Sequence, residues 1–250
     1  MKAASERGSE ITMSQHYSIA LDGPSGAGKS TIARTIARDM NYLYLDTGAM
    51  YRSFGLYAIR NGIDFTSGIN NPERDRATRE LLNRFNLDIR YEQGEQKVIV
   101  NGEDYTGLIR TPEVSLAASK VAVLPAVRKR MVELQRNIAS RSNVVMDGRD
   151  IGTYVLPNAQ IKIFITASSV ARAKRRFQEL QAKGMKNITF EQVHSDMQFR
   201  DRNDSNRAFA PLSRANDAAL LDTTNLSLQE SIEAVRGFIL RKLNLTERNF

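Results

Sequence analysis

Gly23-Pro24-Ser25-Gly26-Ala27-Gly28-Lys29-Ser30, followed by Thr31, has the spacing G-x-x-x-x-G-K-[ST] of a phosphate-binding loop. A phosphate chain carries many anionic oxygens and needs donors that converge without side chains in the way. Gly23, Gly26 and Gly28 let the backbone curl with its N–H groups inward, and a helix opening near Lys29 adds its N-terminal partial positive charge. Lys29 is placed to reach the β- and γ-phosphates of a nucleotide, and the Ser30 hydroxyl to complete a Mg²⁺ shell. A plain strand-to-helix turn needs one or two glycines and gives no reason for a Gly-Lys-Ser triplet. The order of the glycines is not the G-x-G-x-x-G of a dinucleotide fold.

Two further groups of residues belong with that chemistry. Asp147 ends the apolar run Asn143-Val144-Val145-Met146, where phosphate-loop enzymes place a second acidic residue that helps hold Mg²⁺. An Asp-Gly pair is also a common turn, but Gly148-Arg149-Asp150 continues it with more charge. Arg200, Asp204 and Arg207 fall at i, i+4 and i+7, so on a helix they share one face. Such a face is ordinarily a solvated stripe of ion pairs. Beside a phosphate loop its arginines suit a transferring phosphoryl group, where they contribute about 10³–10⁵ in rate.

The elements that must position these residues follow from periodicity. Tyr17–Asp22 reads as a strand leading into the loop, and Ile32, Ile36 and Met40 put a helix over 29–40. A strand at Tyr42–Leu45 ends in Asp46-Thr47-Gly48, a cap signal for a helix through Met50, Phe54, Tyr57 and Ala58 that stops at Asn61-Gly62. Residues 73–86 form an amphipathic helix. Leu87–Tyr91 and Lys97–Val100, around a Glu92–Gln96 turn and closed by Asn101-Gly102, read as short antiparallel strands. These features place a small α+β insertion at about 66–111. Helices follow Thr111-Pro112 and Pro125, then strands at 143–146 and 161–166. Ser168-Ser169 caps an arginine-rich helix closed by Gly184, with a further helix from Thr189 to about Arg207. A fifth strand at Leu220-Leu221 and a helix from Ser227 complete an α/β chain with a parallel sheet.

Composition narrows the chemistry. There is no cysteine and only His16 and His194, so thiol nucleophiles, thiolate metal sites and histidine triads lack material. The formal charge is +8, with 26 Arg against 10 Lys, which suits anionic substrates or nucleic acid. No apolar run has membrane-spanning length, and residues 1–16 are polar and lack the apolar core of a signal peptide. We expect them to be a loose extension, with Met13 a plausible alternative start. A phosphate-loop ATPase acting on nucleic acid is the competing reading. Against it, no Glu adjoins Asp147 to activate water and aromatics do not interleave with the basic residues. A guanine-nucleotide switch lacks its Asn-Lys-x-Asp stretch.

Gly23–Ser30, Leu45-Asp46-Thr47-Gly48-Ala49-Met50-Tyr51-Arg52, Asp147-Gly148-Arg149-Asp150-Ile151-Gly152, and Arg200–Arg207 followed by Ala210-Pro211-Leu212 together resemble the bacterial cytidylate kinases. The resemblance runs from Tyr17 to about Leu243. It implies a P-loop kinase fold over 17–250: a five-stranded parallel sheet flanked by helices, a monophosphate-binding insertion at about 66–111, and a helical lid at about 172–211. It implies ATP and Mg²⁺ at Gly23–Thr31, with Ser30 and Asp147 on the metal. CMP or dCMP would meet Thr47, Tyr51 and Arg52, with Arg52, Arg149 and Arg207 on its phosphate. Ser119, Arg128 and Asp150 would contact the cytosine, and Arg200 and Asp204 the sugar. Position 47 is Ser or Thr in the family. Lys29, Arg149, Arg200 and Arg207 would carry catalysis. Arg175 and Arg176 fall in the lid, without an assigned contact. The resemblance further implies a cytoplasmic enzyme of pyrimidine nucleotide metabolism, monomeric, with small-molecule partners and neither nucleic acid nor membrane.

Overall fold

The computed structural model describes residues 16–65, 72–185 and 187–244, so the expected extension lies, His16 apart, outside the described residues, as does the start of the expected insertion at 66–71. The first half of the chain runs β1 (Ser18–Asp22), α1 (Lys29–Asp39), β2 (Leu43–Asp46), α2 (Thr47–Arg60), α3 (Pro72–Leu82), β3 (Leu87–Glu92), β4 (Glu95–Val100), β5 (Glu103–Asp104), α4 (Pro112–Val121) and α5 (Pro125–Ala139). The second half runs β6 (Val144–Gly148), a π-helical turn (Ile151–Val155), β7 (Ile161–Thr166), α6 (Ser169–Ala182), α7 (Phe190–Ser205), β8 (Ala219–Asp222) and α8 (Leu228–Leu243).

Five strands form a parallel sheet in the order β2-β6-β1-β7-β8. Central strands of such sheets are buried on both faces and read as continuous apolar runs. Both β1 and β6 are buried along their whole length. Alternate residues serve opposite layers: Ala20, Leu45 and Met146 join α2, α4 and α5, while Ile19, Leu21 and Val145 join α1 and α8. The chain leaves β1 toward β2 on one side and later reaches β7 and β8 on the other. That makes the carboxyl end of β1 a topological switch point, where open α/β sheets bind ligands.

Two smaller units sit on this frame. β3, β4 and β5 form an antiparallel sheet whose core residues continue the layer under α2. The β3–β4 connection is tighter than the expected turn at Glu92–Gln96. Glu92 pairs with Glu95 and Tyr91 with Gln96, leaving a two-residue loop of Gln93 (φ 52°) and Gly94 (φ 78°). Both at positive φ is the primed turn whose twist matches a hairpin, and the polar flanking residues hid the strand ends. The second unit is α6 with α7, which bury Ala173, Leu180, Val193 and Met197 in a core of their own. Helix α7 ends at Ser205, so Arg207 lies past the Asn206 cap and off the helix on which it was expected.

Capping boxes set two of the helix starts. Thr189 and Ser227 each accept an N–H from three residues on, and Gln192 and Glu230 reach back to the cap N–H. Ser227→Ala is expected to cost about 1 kcal/mol and to lower the melting temperature by about 2–4 °C. A calorimetric scan that leaves the melting point unmoved would show that α8 is held by its packing alone.

Candidate functional site

The carboxyl ends of β1, β2 and β6 open into one cavity of about 760 Å³ that reaches across to α4, α6 and α7. Ser25–Thr31 line it. Gly23 and Pro24 sit behind them. A Cβ on Gly23 would lie 1.9 Å from the Ile165 carbonyl oxygen, so only glycine lets the loop leave β1 beside β7. Gly26 and Gly28 have φ of 76° and 89°, as an inward-curled loop requires. Lys29 is buried, and its Nζ donates to the Pro24 carbonyl at 2.7 Å, folding the ammonium back over the loop. Burial, and then repulsion from Arg149, push its pKa down to about 7, opposed by Asp147, Asp22 and Asp204.

Ser30 and Asp147 meet directly. The serine Oγ donates to Asp147 Oδ2 at 2.7 Å, and the Tyr44 hydroxyl donates to Oδ1 at 3.0 Å. Burial, with Asp46 nearby, raises the Asp147 pKa. These are hard oxygen donors beside the phosphate loop, as Mg²⁺ prefers. Among the described residues no group of three or more His, Asp or Glu could hold a metal.

The rest of the cavity wall is assembled from four segments. Asp46 caps α2 by accepting the Ala49 N–H at 2.8 Å, and its other oxygen takes Arg52 Nη2 at 2.8 Å. Burial works to raise its pKa, but Arg52, the Ala49 N–H and Arg110 hold it below the ordinary carboxylate range. Thr47 donates to the Asp147 carbonyl at 2.8 Å, tying the start of α2 to the end of β6. Arg149 Nε donates to Asp204 at 2.9 Å, and Arg207 Nε to the Asp204 carbonyl at 3.3 Å, which brings those three residues together although 55 positions separate the first two. Thr47, Tyr51, Arg52, Ser119, Arg149, Asp150, Arg200, Asp204 and Arg207 all line the cavity. Burial lowers the pKa of Arg200 and of Arg207, with neighbouring cations adding to the effect.

Arg128 differs from the expected set. It does not line the cavity but lies behind it, 1% exposed, with Nη2 donating to Asp150 and the guanidinium 6.0 Å from the Tyr51 ring and 5.7 Å from that of Phe209. Several buried polar atoms here have no hydrogen-bond partner: Ser119 Oγ, Arg52 Nε, Arg128 Nε and Nη1, and Arg207 Nη2. Unmet buried donors are costly and rare; three of these belong to residues that line the cavity, Ser119, Arg52 and Arg207, and two to Arg128 behind it.

Sequence reasoning passed over four residues that shape the site. Tyr44 holds Asp147; Gln96 accepts the Asp46 N–H at 2.8 Å; Arg110 lines the cavity. Arg172 donates to the Ser25 carbonyl at 2.9 Å and pairs with Asp201 at 2.7 Å, joining the phosphate loop to both α6 and α7. Only Arg172 left a trace in the sequence, as part of the basic run that includes Arg175 and Arg176. Arg175 bonds Thr223 and Arg176 pairs with Glu179 at 2.7 Å; both line the cavity.

A glycine-rich phosphate loop at the switch point, a serine–aspartate pair beside it and facing arginines define a phosphate-loop nucleotide phosphotransferase. Residues 19–240 match the family model described as cytidylate kinase. The chain belongs to that family. Proteins named cytidylate kinase from Lactobacillus johnsonii and Carboxydothermus hydrogenoformans are each 45% identical to it over 224 residues, 90% of this chain and 94% and 97% of theirs. One from Caldicellulosiruptor bescii is 46% identical over 217 residues, 87% of this chain and 92% of its own. No helix among the described residues is long and apolar enough to cross a membrane.

Proposed function

We propose that this protein transfers the terminal phosphoryl group of ATP to the 5′-phosphate of CMP, and of dCMP, releasing ADP and CDP or dCDP. The observation that carries the reading is the cavity lined both by the phosphate loop and by Arg52, Arg149 and Arg207. The names of the relatives supply the base. A phosphate oxygen of CMP is already anionic, so the attack needs no side-chain base. The work lies in aligning two mutually repelling anions and neutralising their charge.

Gly23–Thr31 hold the ATP phosphates, and Lys29 swings from the Pro24 carbonyl onto them. Ser30 and Asp147 would hold Mg²⁺, which would screen the charge of phosphate oxygens. Arg52, Arg149 and Arg207 seat the CMP phosphate. Ser119 and Asp150 read the cytosine, with Arg128 supporting Asp150 from behind, and Arg200 and Asp204 take the sugar. The 66–111 segment serves as the acceptor-side insertion and 172–211 as a lid that excludes water, a competing acceptor. We place the protein in the cytoplasm, as a monomer acting in pyrimidine nucleotide metabolism without nucleic acid.

A coupled ADP-release assay with CMP, dCMP, UMP and AMP tests the reading. Turnover of CMP and dCMP above UMP and AMP is expected. Salt-sensitive nucleic-acid binding without CMP turnover would replace it with the ATPase reading.

A further inference from the structure

Asp22, the last residue of β1, has a role that the donor and acceptor contacts leave out. It is 5% exposed and does not line the cavity. Its carboxylate accepts the Ile151 N–H at 2.8 Å through Oδ1 and the Gly152 N–H at 2.7 Å through Oδ2. These N–H groups open the π-helical turn. On the near side, Asp22 stands in register with Gly148 across the β1–β6 pairing. One residue of β1 therefore fixes the chain both before and after Arg149-Asp150, through its strand position on one side and its carboxylate on the other.

We infer that Asp22 is a positioning residue for the acceptor, holding Arg149 and Asp150 in place from the donor strand. This rests on the proposed CMP phosphorylation. A carboxylate fits because each oxygen accepts one N–H; an asparagine in the same place offers one acceptor and turns an N–H₂ toward the other donor. The seat of the phosphate-loop backbone does not depend on this carboxylate, although its charge also acts on Lys29. β1 is central and paired to β6 and β7 by its backbone, so the loop stays seated when the side chain changes. The consequence is asymmetric between substrates although Asp22 adjoins Gly23.

Asp22→Asn is measured in steady state against both substrates, beside the wild type. KM for CMP should rise about tenfold or more while KM for ATP stays within about twofold. That ratio is insensitive to a common loss in kcat, which a purely structural defect would cause. Gly152→Ala is a second, milder variant: its Cβ would lie 3.3 Å from Asp22 Oδ2 and 3.1 Å from the Lys162 side chain, easing the turn off the carboxylate. It should move KM for CMP about threefold in the same direction. If Asp22→Asn does not fold, Gly152→Ala alone decides. An unchanged ratio of the two KM values in the folded variants would overturn the role. A wild type that does not turn over CMP would instead overturn the proposed function.

Discussion

Replacing Lys29 with methionine is expected to leave a folded protein whose turnover falls by about 10²–10³-fold or more, as for loss of a preorganised electrostatic donor. Methionine keeps most of the buried stem, so the packing survives and the charge is what is removed. The phosphate loop, Asp147 and Arg149 all act on Lys29. A second readout comes from pH. The lysine sits near 7 in the folded protein against 10.5 for the unconstrained side chain. Between those values the unfolded chain binds the proton and the folded one does not, so stability rises with pH through that window. Thermal melts at pH 7 and pH 9 should show the wild type gaining more than Lys29→Met does. Near-normal kcat in the variant would remove Lys29 from the phosphate site, and equal pH slopes would show that its charge is not perturbed by burial.

The second large effect concerns Arg128 and Asp150, whose ion pair is nearly removed from solvent. Burial outweighs Arg128 and Arg207 in setting Asp150, whose pKa is raised. Breaking such a pair from one side leaves an uncompensated buried charge, so Arg128→Met or Asp150→Leu alone should destabilise by about 3–5 kcal/mol. The double variant Arg128→Met/Asp150→Leu should recover most of that loss, because packed apolar side chains replace a buried pair at little cost. Activity should not follow stability. All three variants are expected to lose preference for CMP over UMP, since Asp150 faces the cavity and Arg128 supports it. Denaturant melts combined with competition assays separate the two outcomes. A double variant that regains both stability and selectivity would show the pair to be structural only.

The parts of this site that could be read in advance are those whose meaning is local. The phosphate loop declares itself in eight consecutive residues, and Asp147 by closing an apolar run. Asp46 was legible as a helix cap because the cap and its N–H lie three residues apart. Tyr44, Gln96 and the Asp22 carboxylate were not. Their partners lie 103, 50 and about 130 positions away and are brought together by tertiary packing, which no local pattern encodes. The π-helical turn escaped for the same reason. Ile151–Val155 carries no helical period, and its start is held by a residue from another strand. Arg128 shows what resemblance leaves out: only packing shows that it is buried against Asp150 and outside the cavity lining.

The strand order also bears on how the chain is made. Among the described residues β1 pairs with β6 and β7, both far downstream of it. Tyr17 takes its partner Asn143 126 residues later. At a synthesis rate of about 5–20 residues per second, the apolar segment Ser18–Asp22 waits roughly 6–25 s before its first neighbour is translated, and longer for its second. The strand that carries the phosphate loop leaves the ribosome well ahead of both its neighbours, and both of its edges stay open until β6 follows.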